Sequence, residues 1–178
     1  MIPALIYIAS VLARFLCNTG RRIKAIELCK ECLVLLNNKA LEKEKHQRNV
    51  FLEQIYLTMF NVHFDCRNYK DAAECGRKLL FIYRECGKRG GEGILCSKLA
   101  EIHRIQNEPA EAQELYEAAI KIMNRTGKKK MEAHACKCLA DVFRSLFEYD
   151  KAREYYEKAL SIKLKLVTKK EKPERTKT

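Results

Sequence analysis

The chain has no tryptophan, only three prolines and only seven glycines among its 178 residues. So few breakers imply long uninterrupted elements. They exclude a β-sandwich, which needs a turn signal roughly every 8–12 residues. Long hydrophobic runs are missing too. The apolar stretch that opens with Met1 is cut by Arg14, short of the roughly 20 residues of a membrane span. No basic residue precedes that stretch, so it reads as a helix of a first structural unit rather than a signal peptide. A phosphate-binding loop is also absent, because Gly90-Gly91-Glu92-Gly93 lacks the Gly-Lys-Ser/Thr ending and a preceding strand. No Ser or Cys sits in a recognisable nucleophile motif. We therefore expect neither enzymatic activity nor a cofactor.

What is plentiful is cysteine and positive charge. Nine cysteines, an odd number, are spread through helical segments. That is not the paired, loop-rich spacing of a disulfide framework, and reduced thiols in a cytoplasmic protein are the natural reading. Cys29 and Cys32 are spaced Cys-x-x-Cys, but no second pair completes a four-ligand zinc set, so they are expected to pack in a core and no metal is expected. The formal net charge is +12, and residues 163–178 alone carry seven Lys/Arg against two Asp/Glu. Such a field attracts acidic peptides, nucleic acid or anionic lipid without choosing among them.

Self-comparison gives the organisation. Ala25, Ala72, Ala112 and Ala152 align in one column, at separations of 47, 40 and 40 residues. Seven residues further on stand Cys32, Leu79, Ala119 and Ala159, followed directly by Leu33, Leu80, Ile120 and Leu160. Apolar residues at i, i+7 and i+8 lie on one helical stripe. A second helix precedes each of these, marked by Leu12-Ala13, Met59-Phe60, Leu99-Ala100 and Leu139-Ala140. Three positions beyond those pairs come Leu16, His63, His103 and Phe143. A column shared with Phe143 makes His63 and His103 packing residues rather than catalytic ones. Tyr155 and Tyr156 are candidate phosphorylation sites, although the column of Tyr156 places it in the core. Short links between helices require antiparallel neighbours.

The run Leu139-Ala140-x-x-Phe143, then Tyr149-x-Lys151-Ala152-x-x-x-Tyr156-x-Lys158-Ala159-Leu160, resembles the tetratricopeptide signature. The unit from Leu99 to Ala119 matches nearly as well, and the first two units follow by register. The resemblance implies an all-α fold, a right-handed α-α superhelix of about four antiparallel helix pairs. Its units fall near 3–36, 50–84, 92–124 and 132–165, in a repeat domain over 1–165. A basic tail, 166–178, is expected to be disordered. The period of 40 exceeds the usual ~34 residues and resembles the long repeats of rapsyn, the Pins/LGN family and kinesin light chains. Either longer helices or longer turns at Cys86–Gly93 and Thr126–Lys130 supply the difference. The extra seven residues of the first interval lie in the charged stretch 37–49, readable as helical extension or loop.

The resemblance also implies a function: a protein-binding scaffold whose first helices line a concave wall. Carried over from the family, the wall positions are Tyr7, Ser10, Arg14 and Cys17, then Gln54, Leu57, Asn61 and Phe64. The later units contribute Ile94, Ser97, Glu101 and Arg104, and His134, Lys137, Asp141 and Arg144. Arg14, Arg104, Lys137 and Arg144 would offer donors to an acidic peptide. The two-carboxylate clamp of chaperone-tail-binding relatives needs Lys and Asn where this chain has Ser10 and Arg14, so that ligand is not expected. The alternative is RNA or anionic-surface binding through Lys128–Lys130 and the basic tail. Nucleic acid is the less expected partner. Self-association, or membership of a longer repeat array, is a further expectation, because terminal repeats normally carry a polar outer face.

Overall fold

Six of the eight described helices end the same way, and that ending sets the architecture. In the computed structural model, which describes residues 2–36 and 45–170, eight helices follow one another. They are α1 (Ile2–Asn18), α2 (Arg22–Leu36), α3 (Lys45–Asp65), α4 (Tyr69–Glu85), α5 (Arg89–Ile105), α6 (Pro109–Arg125), α7 (Lys129–Ser145) and α8 (Tyr149–Lys170). No strand occurs among the described residues.

The links after α1 and after each of α3 to α7 contain a left-handed residue: Gly20, Arg67, Gly87, Asn107, Gly127 and Phe147, with φ between +61° and +79°. The amide of that residue donates to the carbonyl three positions back, at 3.0–3.3 Å. The next amide reaches back five positions, as in Asn68 to His63 at 2.8 Å and Glu148 to Phe143 at 3.0 Å. These two bonds are a Schellman closure, which satisfies carbonyls a helix end would leave bare. The third link residue then accepts the first bond of the next helix, as Glu108 does from Ala112 at 3.1 Å. Three residues thus end one helix and start the next, and within each unit the helices so joined are antiparallel neighbours. Pro109 sits in the first turn of α6, where its missing N–H costs nothing. Acidic Asp71, Glu111 and Asp150 open α4, α6 and α8, and Arg84, Arg104, Arg125 and Arg144 close α4 to α7. Both placements oppose the helix dipole favourably.

The long period comes from the helices. α5, α6 and α7 have 17 residues each and are joined by three-residue links. The turns expected at Cys86–Gly93 and Thr126–Lys130 shrink to 86–88 and 126–128, the remainder being helix. Of the charged stretch, Lys45 to Asn49 is the start of α3, while 37–44 lies outside the described residues. α8 runs to Lys170, and the rest of the expected tail also lies outside them.

The chain forms two compact units, Met1–Gly87 and Lys88–Thr178. In the first, α1 packs on α2 and α3, α2 on α3, and α3 on α4. In the second, α5 packs on α6 and α7, α6 on α7, and α7 on α8. The alanine column is sealed in both: Ala25, Ala72, Ala112 and Ala152 are all buried. So are Cys32, Leu79, Ala119 and Ala159. A methyl at these positions lets the neighbouring backbone come close while burying apolar surface at roughly 25 cal/mol per Å².

Candidate functional site

In the first unit the expected wall residues come together on α1 and α3. Arg14, Gln54 and Leu57 line one groove of about 250 Å³ with Tyr7, Ser10 and Val11. Ser10 is buried, and its hydroxyl donates to the Tyr7 carbonyl at 2.8 Å and lies 3.0 Å from Gln54 Oε1. This contact fixes the Gln54 side chain and leaves the apolar floor to Tyr7, Val11 and Leu57, all exposed. Arg14 is exposed and forms no ion pair with any described residue. Asn61 stands one turn beyond Leu57 and is half-buried.

The second unit presents a different face. Ser97, Glu101 and Arg104 fall at i, i+4 and i+7 on α5, as Lys137, Asp141 and Arg144 do on α7. Asp141 is the hub of the α7 set. Lys137 Nζ and Arg144 each lie 3.5 Å from its carboxylate, and the Tyr156 hydroxyl donates to it. Arg104 and Glu101 approach at 3.9 Å. Beneath this surface lies Tyr116, buried, with a hydroxyl that has no hydrogen-bond partner within ordinary distance. Burial pushes its phenol up, and the neighbouring Cys138 and Glu101 push it further. Cys138 is raised as well, by burial first, so its thiol stays protonated near neutral pH. His134 Nδ1 is 3.7 Å from that sulfur. An activated Cys–His pair requires a lowered thiol pKa, and here the shift has the opposite sign.

Tyr156 departs from its expected place. It is half-buried and bonded to Asp141, its phenol raised by that hydrogen bond first and by burial second. Tyr155 is the packed one, stacked on Phe143 with ring centroids 5.5 Å apart. The reason is that α8 has no following helix among the described residues to bury the Tyr156 side. His63 is buried beside Asp71, 3.8 Å away, and His103 Nδ1 meets Glu108 at 2.6 Å. Cys29 and Cys32 are both buried, and burial pushes Cys29 up to about 12. Among the described residues no group of three His, Cys, Asp or Glu could hold a metal ion.

Two buried carboxylates have no counterpart in the sequence reading. Glu92 and Glu132, 40 residues apart, sit in the first turns of α5 and α7. Glu132 accepts from Asn124 and from Lys129, both at 2.8 Å. Burial raises its carboxyl, but those two bonds outweigh burial and hold it below the usual range. Glu92 pairs with Arg89 at 2.8 Å. Their equal spacing was the available signal.

The architecture defines a class: an all-α helical repeat in which each pair buries an alanine seam and turns one helix outward. Residues 93–165 match the family model of the tetratricopeptide repeat, the repeat that the sequence resembles. Solved structures agree on the fold. BtubC from P. vanneervenii is 17% identical over 100% of this chain and 70% of its own, with a TM-score of 0.78. Aspartyl phosphate phosphatase F from Bacillus subtilis is 14% identical over 93% of this chain and 42% of its own, with a TM-score of 0.75. The kinesin light chain-like repeats of Podosopora anserina are 18% identical over 93% and 77%, with a TM-score of 0.69. No curated protein sequence matches the chain. Repeats of this family generally mediate protein–protein interactions and are generally not catalytic. No described helix is long and apolar enough to cross a membrane.

Proposed function

We propose that the chain is a non-catalytic, cytoplasmic scaffold whose first-of-pair helices hold a peptide or partner segment carrying acidic side chains. One observation carries the reading. Arg14, which forms no ion pair with a described residue, stands beside an apolar floor of Tyr7, Val11 and Leu57, with Gln54 held in place by Ser10. A cation without a counter-ion next to exposed apolar surface suits a segment that brings both a carboxylate and an apolar side chain. The second unit, taken by itself, carries Arg104, Lys137 and Arg144 on α5 and α7, with Asp141 and Glu101 offsetting part of that charge.

The test is a pull-down of a crosslink-identified partner with Arg14→Glu, and separately with the Arg104→Glu, Arg144→Glu double variant. Loss of the partner in either supports the reading. Full retention in both removes it.

The rival reading, RNA or an anionic surface at Lys128–Lys130, is weakened because Lys129 is already committed to Glu132 at 2.8 Å. Nucleic-acid affinity at two salt concentrations separates the two, since phosphate contacts weaken steeply with salt. Self-association or a longer array gains support from α1. Ile8, Leu12 and Phe15 are exposed in columns that are buried in α3, α5 and α7. Light scattering on the purified chain distinguishes a monomer from an oligomer.

A further inference from the structure

A groove of about 710 Å³ lies between α3 and α4 in the first unit. At about 100° per residue, its α3 positions Leu52 and Tyr56 face roughly opposite to Leu57 and Asn61, so it is separate from the face proposed above. Leu52, Tyr56, Phe81 and Ile82 supply its apolar surface. Phe81 is 66% exposed, an unfavourable placement for a phenyl ring with no fold-level reason. The α7–α8 pair has the same groove at about 430 Å³, and there the columns of Leu52 and Phe81 hold Glu132 and Ser161. The α7–α8 pair accommodates a carboxylate and a hydroxyl at those two places, the carboxylate held by Asn124 and Lys129. Leu52 and Phe81 are therefore apolar for something other than packing of the pair.

The rim of the first-unit groove is positive. Lys45, Arg48, Arg77 and Lys78 line it against a single lining carboxylate, Glu85, which is paired to Lys45 at 3.1 Å. Lys78 is held by Glu74 at 2.7 Å and lies 5.7 Å over the Tyr56 ring. Arg48 donates to the Leu36 carbonyl at 3.4 Å. Arg77 is exposed and makes no ion pair with any described residue. Its column carries Lys30 in α2, Glu117 in α6 and Glu157 in α8, and the α7–α8 groove is also lined by cations, Lys129, Lys158 and Lys165, so what separates the α3–α4 groove from it is the apolar pair Leu52 and Phe81 beside the charge.

We propose that this groove is a second docking site, and that its occupant is an acidic amphipathic helix. The helix would seat large apolar side chains, spaced i and i+4, on Leu52, Tyr56 and Phe81, with carboxylates toward Arg77 and Lys78. An apolar stripe flanked by acids is the complement of an apolar groove flanked by bases. Removal of Phe81 from water and pairing of Arg77 are satisfied by the same ligand, and neither a wholly apolar nor a wholly acidic one satisfies both.

The probe is a fluorescein-labelled helix-forming peptide of about 14 residues, with Leu and Phe at i and i+4 in a Glu/Ala background. Its binding to the full chain is read by fluorescence anisotropy. Phe81→Ser and Arg77→Glu place into α4 the residue types that α8 carries in the same columns, so both variants are expected to keep the fold, which circular dichroism checks. Each is expected to weaken binding at least tenfold. Arg14→Glu is expected to leave in place the binding that the two α4 variants weaken, and a peptide with Leu and Phe replaced by Ser is expected not to bind. The proposal is overturned by wild-type binding that both α4 variants retain, or by no binding at about 1 mM peptide. Loss on Arg14→Glu instead would assign the peptide to the α1–α3 face and overturn the second site alone. A dimer by light scattering that Phe81→Ser dissolves would make a second copy the occupant, also against the proposal.

Discussion

Leu12 in α1 and Leu139 in α7 occupy one column of the repeat, yet Leu12 is 46% exposed and Leu139 is fully buried. Met59 of α3 is buried in the same column, so that contrast belongs to α1, but the two units differ on their outer faces. Helices α1–α4 put apolar side chains where helices α5–α8 put charge. Tyr7, Val11 and Leu57 surround Arg14 in the first, whereas the second answers with Glu101, Lys137, Asp141 and Arg144. Phe81 faces outward where Ser161 does in α8. Inside, the order reverses: one buried column holds Cys29 and Gly76 in the first unit and Tyr116 in the second. The repeat fixes which positions are buried between paired helices. It leaves free what lies on the remaining faces and how large the core side chains are, and each unit has used that freedom differently.

Four measurements would break or sharpen the contrast. The largest effect concerns thiols. Cys66 is exposed in a link, whereas Cys29 is buried with its pKa near 12. Burial of Cys29 predicts that iodoacetamide at pH 8 alkylates it far more slowly than the exposed Cys66. Mass spectrometry of the native chain should find Cys66 labelled first, and comparable rates would mean that the first unit's core is open.

Next comes the shared leucine column. Leu139→Ala should cost about 2–5 kcal/mol in urea unfolding, because a cavity forms. Leu12→Ala should stay within about 0.5 kcal/mol. A large loss at Leu12 would mean that something covers α1 in solution.

Third is the link chemistry. Phe147 holds a left-handed backbone at φ +63° with its ring 76% exposed. Gly87 and Gly127 hold the same conformation, and a Cβ added to either would meet no atom within 4 Å. Phe147→Gly should stabilise by about 1 kcal/mol, and Gly127→Ala should destabilise by a similar amount. A loss of stability on Phe147→Gly would show that the edge contact with Tyr149, at 6.3 Å between centroids, outweighs backbone strain.

The smallest effect is a pH dependence confined to the second unit. The Glu132 carboxyl is depressed by Asn124 and Lys129 despite burial. Its stabilisation is therefore complete above the unfolded value of about 4.3 and is lost as pH falls through the lower folded value. Between pH 7 and pH 3 the wild-type urea midpoint should drop further than that of Glu132→Gln. Parallel curves would mean that the Lys129 pair contributes nothing.

Much of the fold was legible because a close helix–helix seam tolerates only small or apolar residues. Ala72, Ala112 and Ala152 announce that seam at a fixed spacing, and so do Ala100 and Ala140. The half-period was harder to see. Helices α4 to α8 begin 20 residues apart, at 69, 89, 109, 129 and 149. Their links carry Arg67, Gly87, Asn107, Gly127 and Phe147, which share a backbone conformation and no side-chain chemistry. Glu92 and Glu132 are hidden in the sequence because a carboxylate reads as surface until Arg89, Asn124 and Lys129 are seen to meet it. Tyr156 sits elsewhere than its column suggests because a column predicts burial only when a helix follows to cover it.

Residue spacing alone determined the helix pairs, their antiparallel order and the buried seam, since period and residue size are properties of the chain read in one dimension. Only the folded arrangement decided which charges are paired with one another and which, like Arg14 and Arg77, form no ion pair with a described residue. Ion pairing depends on distances across helices, and no linear pattern contains them.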